Sequence, residues 1–105
     1  MNELNLKDKI AVITGGAGLI CSEMARSLAF EGVKTVIIDL NGEAADKVAK
    51  EIEKEFKTPS LGLSASVLDK SSLEVSKKII NEKLGVIDIL INGAGGNSPA
   101  ATTKV

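Results

Sequence analysis

The chain has 105 residues, of which 44% are hydrophobic and 26% charged, and its formal net charge is −1. That length predicts a single domain over residues 1–105, near the small end of what supports its own hydrophobic core. The near-neutral charge argues against a nucleic-acid partner, and no apolar run approaches the roughly 20 residues of a membrane span. The one cysteine and the absence of a hydrophobic signal region predict a cytoplasmic protein.

The residue types that the sequence lacks limit its chemistry. It contains no histidine, tyrosine or tryptophan, so it lacks the commonest general acid/base and the phenol that would replace it. With one cysteine and scattered carboxylates, it shows no cluster with the spacing of metal ligands. We therefore expect neither a catalytic residue nor a metal site within these 105 residues.

The most informative segment is the first strand and the turn that follows it. Residues 9–14 form a short apolar run, KIAVIT, which ends at the sequence GGAG and continues as a helical pattern over residues 19–31. A glycine-rich turn that leads into a helix presents backbone N–H groups to a phosphate, and glycine lets the main chain approach closely. Gly15, Gly16 and Gly18 therefore predict a nucleotide site.

The second strand, residues 34–39, ends at a carboxylate. Its apolar part, TVII, is β-branched and nearly continuous, as in a strand covered on both faces. Asp39 lies about 20 residues past the glycine-rich turn, where a carboxylate accepts hydrogen bonds from the adenosine ribose of a dinucleotide. A carboxylate there repels a 2′-phosphate, so NAD is favoured over NADP. The alternative is that Asp39 only opens the turn at Asn41 and Gly42.

The rest of the chain continues the alternation of helix and strand. A helix is predicted over residues 43–56, and residues 60–67 alternate small polar with apolar side chains, which predicts an edge strand with one solvent-facing side. Asp69 is a candidate N-cap for a third helix over residues 70–84. The last strand, residues 86–91, leads into a second glycine-rich turn over residues 92–97, and residues 98–105 show no clear periodicity.

The predicted order β-α-β-α-β-α-β is typical of the α/β class. It favours a three-layer, Rossmann-type, doubly wound parallel sheet with helices on both faces and strand order 3-2-1-4. In that order the first and last strands are neighbours, so the two glycine-rich turns meet at one crevice. That convergence is the main structural reason to expect a dinucleotide there.

Three segments resemble the short-chain dehydrogenase/reductase family. Residues 14–21, TGGAGLIC, are similar to its T-G-x-x-x-G-x-G turn, Asp39 to its ribose-binding acid, and residues 89–95, ILINGAG, to its strand followed by N-N-A-G. The resemblance implies an NAD-dependent oxidoreductase that transfers hydride to or from a small alcohol or carbonyl compound. It implies the following cofactor-binding residues: Gly15, Gly16, Gly18, Leu19, Ile20, Asp39, Leu40, Ser66, Val67, Asn92, Gly93, Ala94 and Gly95.

The sequence departs from the family pattern at specific positions. Leu19 and Cys21 stand where glycines are usual, Gly93 replaces the second asparagine of N-N-A-G, and Ser66 stands where an aspartate commonly contacts adenine. The family's catalytic serine and Tyr-x-x-x-Lys pair have no counterpart here, so the resemblance implies the N-terminal, cofactor-binding half of an enzyme, inactive by itself. The segments GLICS and NGAGGN also resemble a sugar-acid branch, the mannonate/fructuronate oxidoreductases.

A second hypothesis stays open, that of a catalytically inert module that self-associates and binds no small molecule. In the predicted fold the last strand presents an unpaired edge and one sheet face is incompletely covered, and proteins avoid exposing such surfaces. We therefore expect a homodimer or larger oligomer through that strand or that face. Cys21 is expected to be a small buried residue where the first helix meets the sheet.

Overall fold

A computed structural model describes residues 6–66, 68–93 and 101–104, the last four as backbone only. Strands and helices alternate in this part of the chain, and the helix and strand bounds follow the predicted order closely. The elements are β1 (Ile10–Thr14), α1 (Leu19–Phe30), β2 (Lys34–Asp39), α2 (Gly42–Phe56), β3 (Ser60–Ser64), α3 (Lys70–Lys83), β4 (Ile89–Asn92) and β5 (Ala101–Lys104).

The strands form one sheet in the order β3-β2-β1-β4-β5. Its first four strands are parallel, and β1 lies between β2 and β4, with Thr14 opposite Ile38 on one side and Asn92 on the other. The predicted order 3-2-1-4 is confirmed. The carboxyl ends of β1 and β4 are therefore neighbours at one edge of the sheet.

The strand β5 was not predicted, and it corrects the expectation that the last parallel strand has an unpaired edge. It runs antiparallel to β4, with Ile89 opposite Lys104 and Asn92 opposite Ala101. Four residues are too few to show a periodic pattern, and the pairing depends on a β4 edge that exists only in the folded sheet. Both edges of β4 are paired, by β1 and by β5.

The strand β4 begins later than predicted, at Ile89 rather than at Val86. The backbone N–H of Asp88 donates to the carbonyl of Ile10 at 2.9 Å, and the Asp88 carboxylate accepts from the N–H of Ile10 at 3.0 Å. The Asp88 side chain thus takes the place of a main-chain acceptor before β4. The regular pairing of β4 with β1 begins at Ile89, opposite Ala11. The apolar run of residues 86–91 therefore includes three residues that lead into the strand.

Apolar side chains fill both faces of the sheet, which makes the structure three-layered as predicted. On one face the sheet packs against α1 and α2, and on the other it packs against α3. The first cluster contains Ile13, Cys21, Ala25, Ala29, Ile37, Ala45, Ala49, Ile52 and Ile91. The second contains Ile10, Val12, Val36, Ile38, Ala65 and Ile80.

The helix ends follow local signals. The Asn41 side chain accepts from the N–H of Ala44, and Asp69 accepts from the N–H groups of two serines, so both are N-caps. Gly32, which follows the C-cap residue of α1, has φ +89°, a left-handed conformation that suits glycine. No helix in the described ranges is long and apolar enough to span a membrane.

The predicted position of β3 at the edge of the sheet is confirmed. The expectation that its small residues face solvent is wrong at Gly62. A Cβ at Gly62 would lie 2.6 Å from the backbone of Ala45, so α2 lies directly on the strand there. Leu61 and Leu63 pack toward the α3 side. The alternating small residues serve close helix packing, because a larger side chain would push α2 away.

Candidate cofactor site

The two glycine-rich turns leave the sheet side by side. Beyond the last β1–β4 pair, the N–H of Gly93 donates to the carbonyl of Thr14 at 3.0 Å. The Thr14 hydroxyl donates to the Asn92 side-chain oxygen at 2.8 Å. These bonds fix the start of the second turn against the end of β1. Ala94 and Gly95, also expected to bind cofactor, lie outside the described residues.

The three glycines of the first turn have different structural roles. Gly15 has φ +68°, a conformation that other residues rarely adopt. A Cβ at Gly16 would lie 2.8 Å from the Ile37 side chain and 2.9 Å from the Ile13 carbonyl, so the turn packs tightly on the sheet there. At Gly18 a Cβ would meet only the Gly15 carbonyl, at 3.4 Å. The turn therefore packs closely on the carboxyl ends of the strands at Gly16, and the space around Gly18 is open.

The N-terminus of α1 faces this turn without a side-chain cap. Gly18 is the N-cap residue and has no side chain to offer, and the first turn of α1 contains no acidic residue. A helix N-terminus carries partial positive charge on N–H groups that lack intrahelical partners. The side chains of Leu19 and Ile20 are 80% and 70% exposed, so both project into solvent beside the turn. This end of α1 suits an anionic ligand.

The Asp39 carboxylate is hydrogen-bonded both to the glycine-rich turn and to Asn41, the N-cap residue of α2. One carboxylate oxygen accepts from the N–H of Ala17 in the glycine-rich turn at 3.2 Å, and the other accepts from the N–H of Asn41 at 3.0 Å. The alternative role, opening the turn at Asn41, is therefore present in the structure. In addition, Asp39 is half-buried and lies next to the glycine-rich turn.

A hollow of about 340 Å³ lies between the ends of β2 and β3. Ser66 closes one side, and its hydroxyl accepts from the N–H of Leu68 at 3.2 Å. The lining residues are Gly15, Ile38, Asp39, Leu40, Ala65, Ser66 and Leu68. Four of them were expected from the sequence, namely Gly15, Asp39, Leu40 and Ser66, whereas Val67 lies outside the described residues. Leu68 was missed, and only its closeness to Ser66 would have indicated it.

Cys21 is buried on the inner side of α1, as expected, and is 8% exposed. Burial raises the pKa of its thiol, and the nearby negative charge of Asp39 raises it further. The neutral thiol is therefore favoured, and a thiol kept neutral is a poor nucleophile. Cys21 acts here as a small apolar side chain.

A second hollow, of about 300 Å³, lies on the α3 side of the sheet. Its floor is the apolar face of β1 and β4, and one end reaches Thr14 and Asn92. The other lining residues are Val12, Ile38, Leu73, Ser76, Lys77, Ile80, Ile87 and Leu90. We call it the α3-side groove.

The described residues offer groups that can bind a ligand. Within the described ranges, no three His, Cys, Asp or Glu side chains lie close enough to hold a metal ion. The sequence has no histidine or tyrosine to move a proton at a substrate oxygen. What the site provides is backbone N–H groups at one helix end, one carboxylate, and an apolar hollow.

The comparison with known proteins identifies the family. The family model described as short chain dehydrogenase matches residues 9–105. The chain belongs to the short chain dehydrogenase family. The matched range includes the glycine-rich turn after β1 and the acid at the end of β2.

Individual relatives match nearly all of this chain. The uncharacterized oxidoreductase UxuB of Bacillus subtilis is 48% identical over 101 residues, which cover 96% of this chain and 36% of that protein. A putative D-mannonate oxidoreductase from Haemophilus influenza, solved with bound NAD, has a TM-score of 0.84 and 42% identity, covering 90% of this chain and 34% of that one.

A third relative was solved with the other nicotinamide cofactor. L-sorbose reductase from Gluconobacter frateurii, complexed with NADPH and L-sorbose, has a TM-score of 0.83 and 26% identity, covering 90% of this chain and 36% of that one. The chain therefore spans about a third of the length of these short chain dehydrogenase relatives.

Proposed function

We propose that the chain is the dinucleotide-binding portion of an NAD-dependent oxidoreductase. The observation that carries the proposal is the meeting of the two turns, where Gly93 and Thr14 are hydrogen-bonded and the open N-terminus of α1 adjoins them. In a doubly wound sheet, such a crevice at the carboxyl ends of the strands is where ligands bind.

The pyrophosphate would lie at the N-terminus of α1. The turn is held in place by the left-handed Gly15 and the close-packed Gly16. The N–H groups of residues 16–18 already donate within the protein, so the N–H groups of the first turn of α1 are the ones that would face the pyrophosphate. The helix end has no side-chain cap and no acid in its first turn, and both features suit a negative ligand. Leu19 stands at a position where a glycine is usual, and its exposed side chain lies beside the position proposed for the pyrophosphate.

The adenosine would lie in the hollow beside Asp39. The Asp39 carboxylate accepts hydrogen bonds, so ribose hydroxyls suit it, whereas a 2′-phosphate would place two negative groups together. Leu40 and Leu68 are 75% and 94% exposed at the rim, where they offer apolar surface to the flat faces of a purine. These features favour NAD over NADP.

When bound, the nicotinamide ring supplies the acceptor or donor of a hydride. This chain's contribution is to hold the cofactor, because the 105 residues contain no tyrosine and no histidine for proton transfer. We expect cofactor binding without turnover from these residues alone. For the substrate we propose a sugar acid, on the basis of the relative named D-mannonate oxidoreductase.

Calorimetric titration with NAD and with NADP tests this proposal. We expect the parent chain to bind NAD more tightly than NADP. Asp39→Asn, which removes the charge but keeps an acceptor oxygen, should weaken NAD binding roughly tenfold and reduce the preference over NADP. Asp46→Asn is the matched control, because Asp46 pairs with Lys50 on the outer surface of α2. No heat with either cofactor at millimolar concentration would remove the binding proposal.

A second candidate function is self-association through the α3-side groove. The groove exposes an apolar floor beside α3, and Val86, which precedes the lining residue Ile87, is 76% exposed. Because β5 pairs the outer edge of β4, we expect the groove rather than that edge to be the contact. Light scattering at micromolar concentration tests this, and a monomeric mass would contradict it.

A further inference from the structure

The Cys21 thiol and Gly93 occupy adjoining volumes under the two turns. A Cβ at Gly93 would overlap the Cys21 Sγ atom, whereas the Cys21 Cβ would be 3.7 Å away, an ordinary contact. The obstacle to a side chain at position 93 is therefore chiefly the sulfur atom. Cys21 is buried and belongs to the apolar cluster between the sheet and α1, so moving the sulfur aside would disturb packed neighbours.

Gly93 cannot retreat from the thiol, because its backbone is held by β1. Its N–H donates to the carbonyl of Thr14 at 3.0 Å, and the side chain of the preceding Asn92 accepts from the Thr14 hydroxyl at 2.8 Å. A Cβ at Gly93 would also lie 3.0 Å from the Thr14 carbonyl oxygen, which is a tight but smaller conflict.

We propose that Cys21 is a positioning residue: its thiol fills the space that a side chain at position 93 would need, and the Cys21–Gly93 pair sets how closely the two turns approach each other. The proposal rests on the proposed function to the extent that these turns hold the dinucleotide. It gives one physical reason for two departures from the family pattern, a side chain at position 21 where glycine is usual and a glycine at position 93 where asparagine is usual. The thiol at position 21 requires that position 93 carry no side chain.

Thermal unfolding of a double-variant cycle, without cofactor, tests the pair. Gly93→Ala should lower the Tm by roughly 5–15 °C, because the methyl group meets the sulfur. Adding Cys21→Ala should raise the Tm of that variant by at least roughly 5 °C, although Cys21→Ala in the parent lowers it by opening a small void. The recovery is partial, because the Thr14 carbonyl remains close.

Gly62→Ala is the matched control for this cycle. Its methyl group would meet the backbone of Ala45 instead of the thiol, at 2.6 Å. Cys21→Ala should therefore give no recovery in the Gly62→Ala background, and the two losses should add. If Gly93→Ala does not fold, a folded Cys21→Ala/Gly93→Ala protein is itself the expected rescue. Additive losses in the Gly93 cycle, or an unchanged Tm for Gly93→Ala, would overturn the proposal.

Calorimetry with NAD separates positioning from mere packing, at a temperature where all variants are folded. Gly93→Ala should weaken NAD binding at least roughly tenfold, and the double variant should return to within roughly threefold of the parent. A direct clash between the new methyl group and the cofactor would not be relieved by Cys21→Ala. An NAD affinity that Gly93→Ala leaves unchanged overturns the positioning role. A coupled Tm cycle in a parent that binds no NAD overturns the proposed function and leaves only a packing pair.

Discussion

At the scale of single residues, the glycine-rich turn combines three separate requirements. Gly15 supplies a left-handed backbone, Gly16 allows the turn to pack on Ile37, and Gly18 leaves the helix end open. The sequence identified all three as candidates for phosphate binding, because the motif is read as a unit. Only the structure shows that Gly16 is fixed by packing on the sheet.

A prediction at this scale concerns Leu19, the first residue of α1. Leu19→Gly should tighten NAD binding by roughly three- to tenfold, because it removes a side chain beside the pyrophosphate position. Leu19→Ala is the control, since it removes most of the bulk but keeps a Cβ. Calorimetry measures both. Equal or weaker affinity in both variants would favour an alignment of the motif through Gly16 and Gly18.

The Cys21 thiol gives a pH-dependence at the same scale. Its pKa in the folded chain is raised above the ordinary value of about 9.0, so the folded state keeps the proton to higher pH than the unfolded state does. The stabilisation is therefore complete below about pH 9 and is lost as the pH rises, because the unfolded chain ionises first. The parent Tm should fall more steeply than that of Cys21→Ala above this pH. Parallel curves in a Tm series would contradict this.

At the scale of the elements, helix ends were predictable because their determinants are local. The caps at Asn41 and Asp69 act on N–H groups two or three residues away, so the sequence around each position is sufficient. The start of β4 was not predictable in this way. It depends on Asp88 bonding Ile10, a residue that the fold alone brings near.

A prediction at the scale of the elements concerns Asp69, the N-cap residue of α3. Asp69 accepts from the N–H groups of Ser71 and Ser72 at 3.0 and 3.3 Å. Asp69→Ala should cost about 1 kcal/mol and lower the Tm by roughly 4–8 °C, because these groups lose their acceptor. Asp69→Asn keeps an acceptor oxygen and should lose less than half as much. Circular dichroism melts measure both, and equal losses would show that the hydrogen bonds are not the cause.

At the scale of the whole molecule, the two faces of the sheet are unequally covered. Helices α1 and α2 lie on one face, whereas α3 is the helix described on the other, where the α3-side groove remains. Burying apolar surface on association stabilises an oligomer by about 25 cal/mol for each Å² removed from water. Among the described residues, the groove is one surface where this gain is available.

A charged side chain in the α3-side groove tests whether the chain associates through that groove. Ile87→Lys places an ammonium group at the groove, so we expect the mass measured by light scattering to fall toward that of the monomer. Phe30→Lys is the matched control, because Phe30 is 74% exposed on α1, on the other face of the sheet. Circular dichroism confirms that both variants are folded. If both variants lose association equally, the contact does not lie in the groove.

The sequence by itself determined the alternation of elements, the strand order 3-2-1-4, the helix caps, and the place of Asp39 beside the glycine-rich turn. The elements and the helix caps depend on periodicity and on hydrogen bonds between residues close in the chain, which a single sequence displays. The strand order and the place of Asp39 follow from the doubly wound arrangement that this order of elements favours. The tertiary structure alone decided the pairing of β5 with β4, the place of Leu68 in the hollow, and the shared volume of Cys21 and Gly93. Strand edges and side-chain volumes are matched across the fold, between residues far apart in sequence, so no local pattern records them.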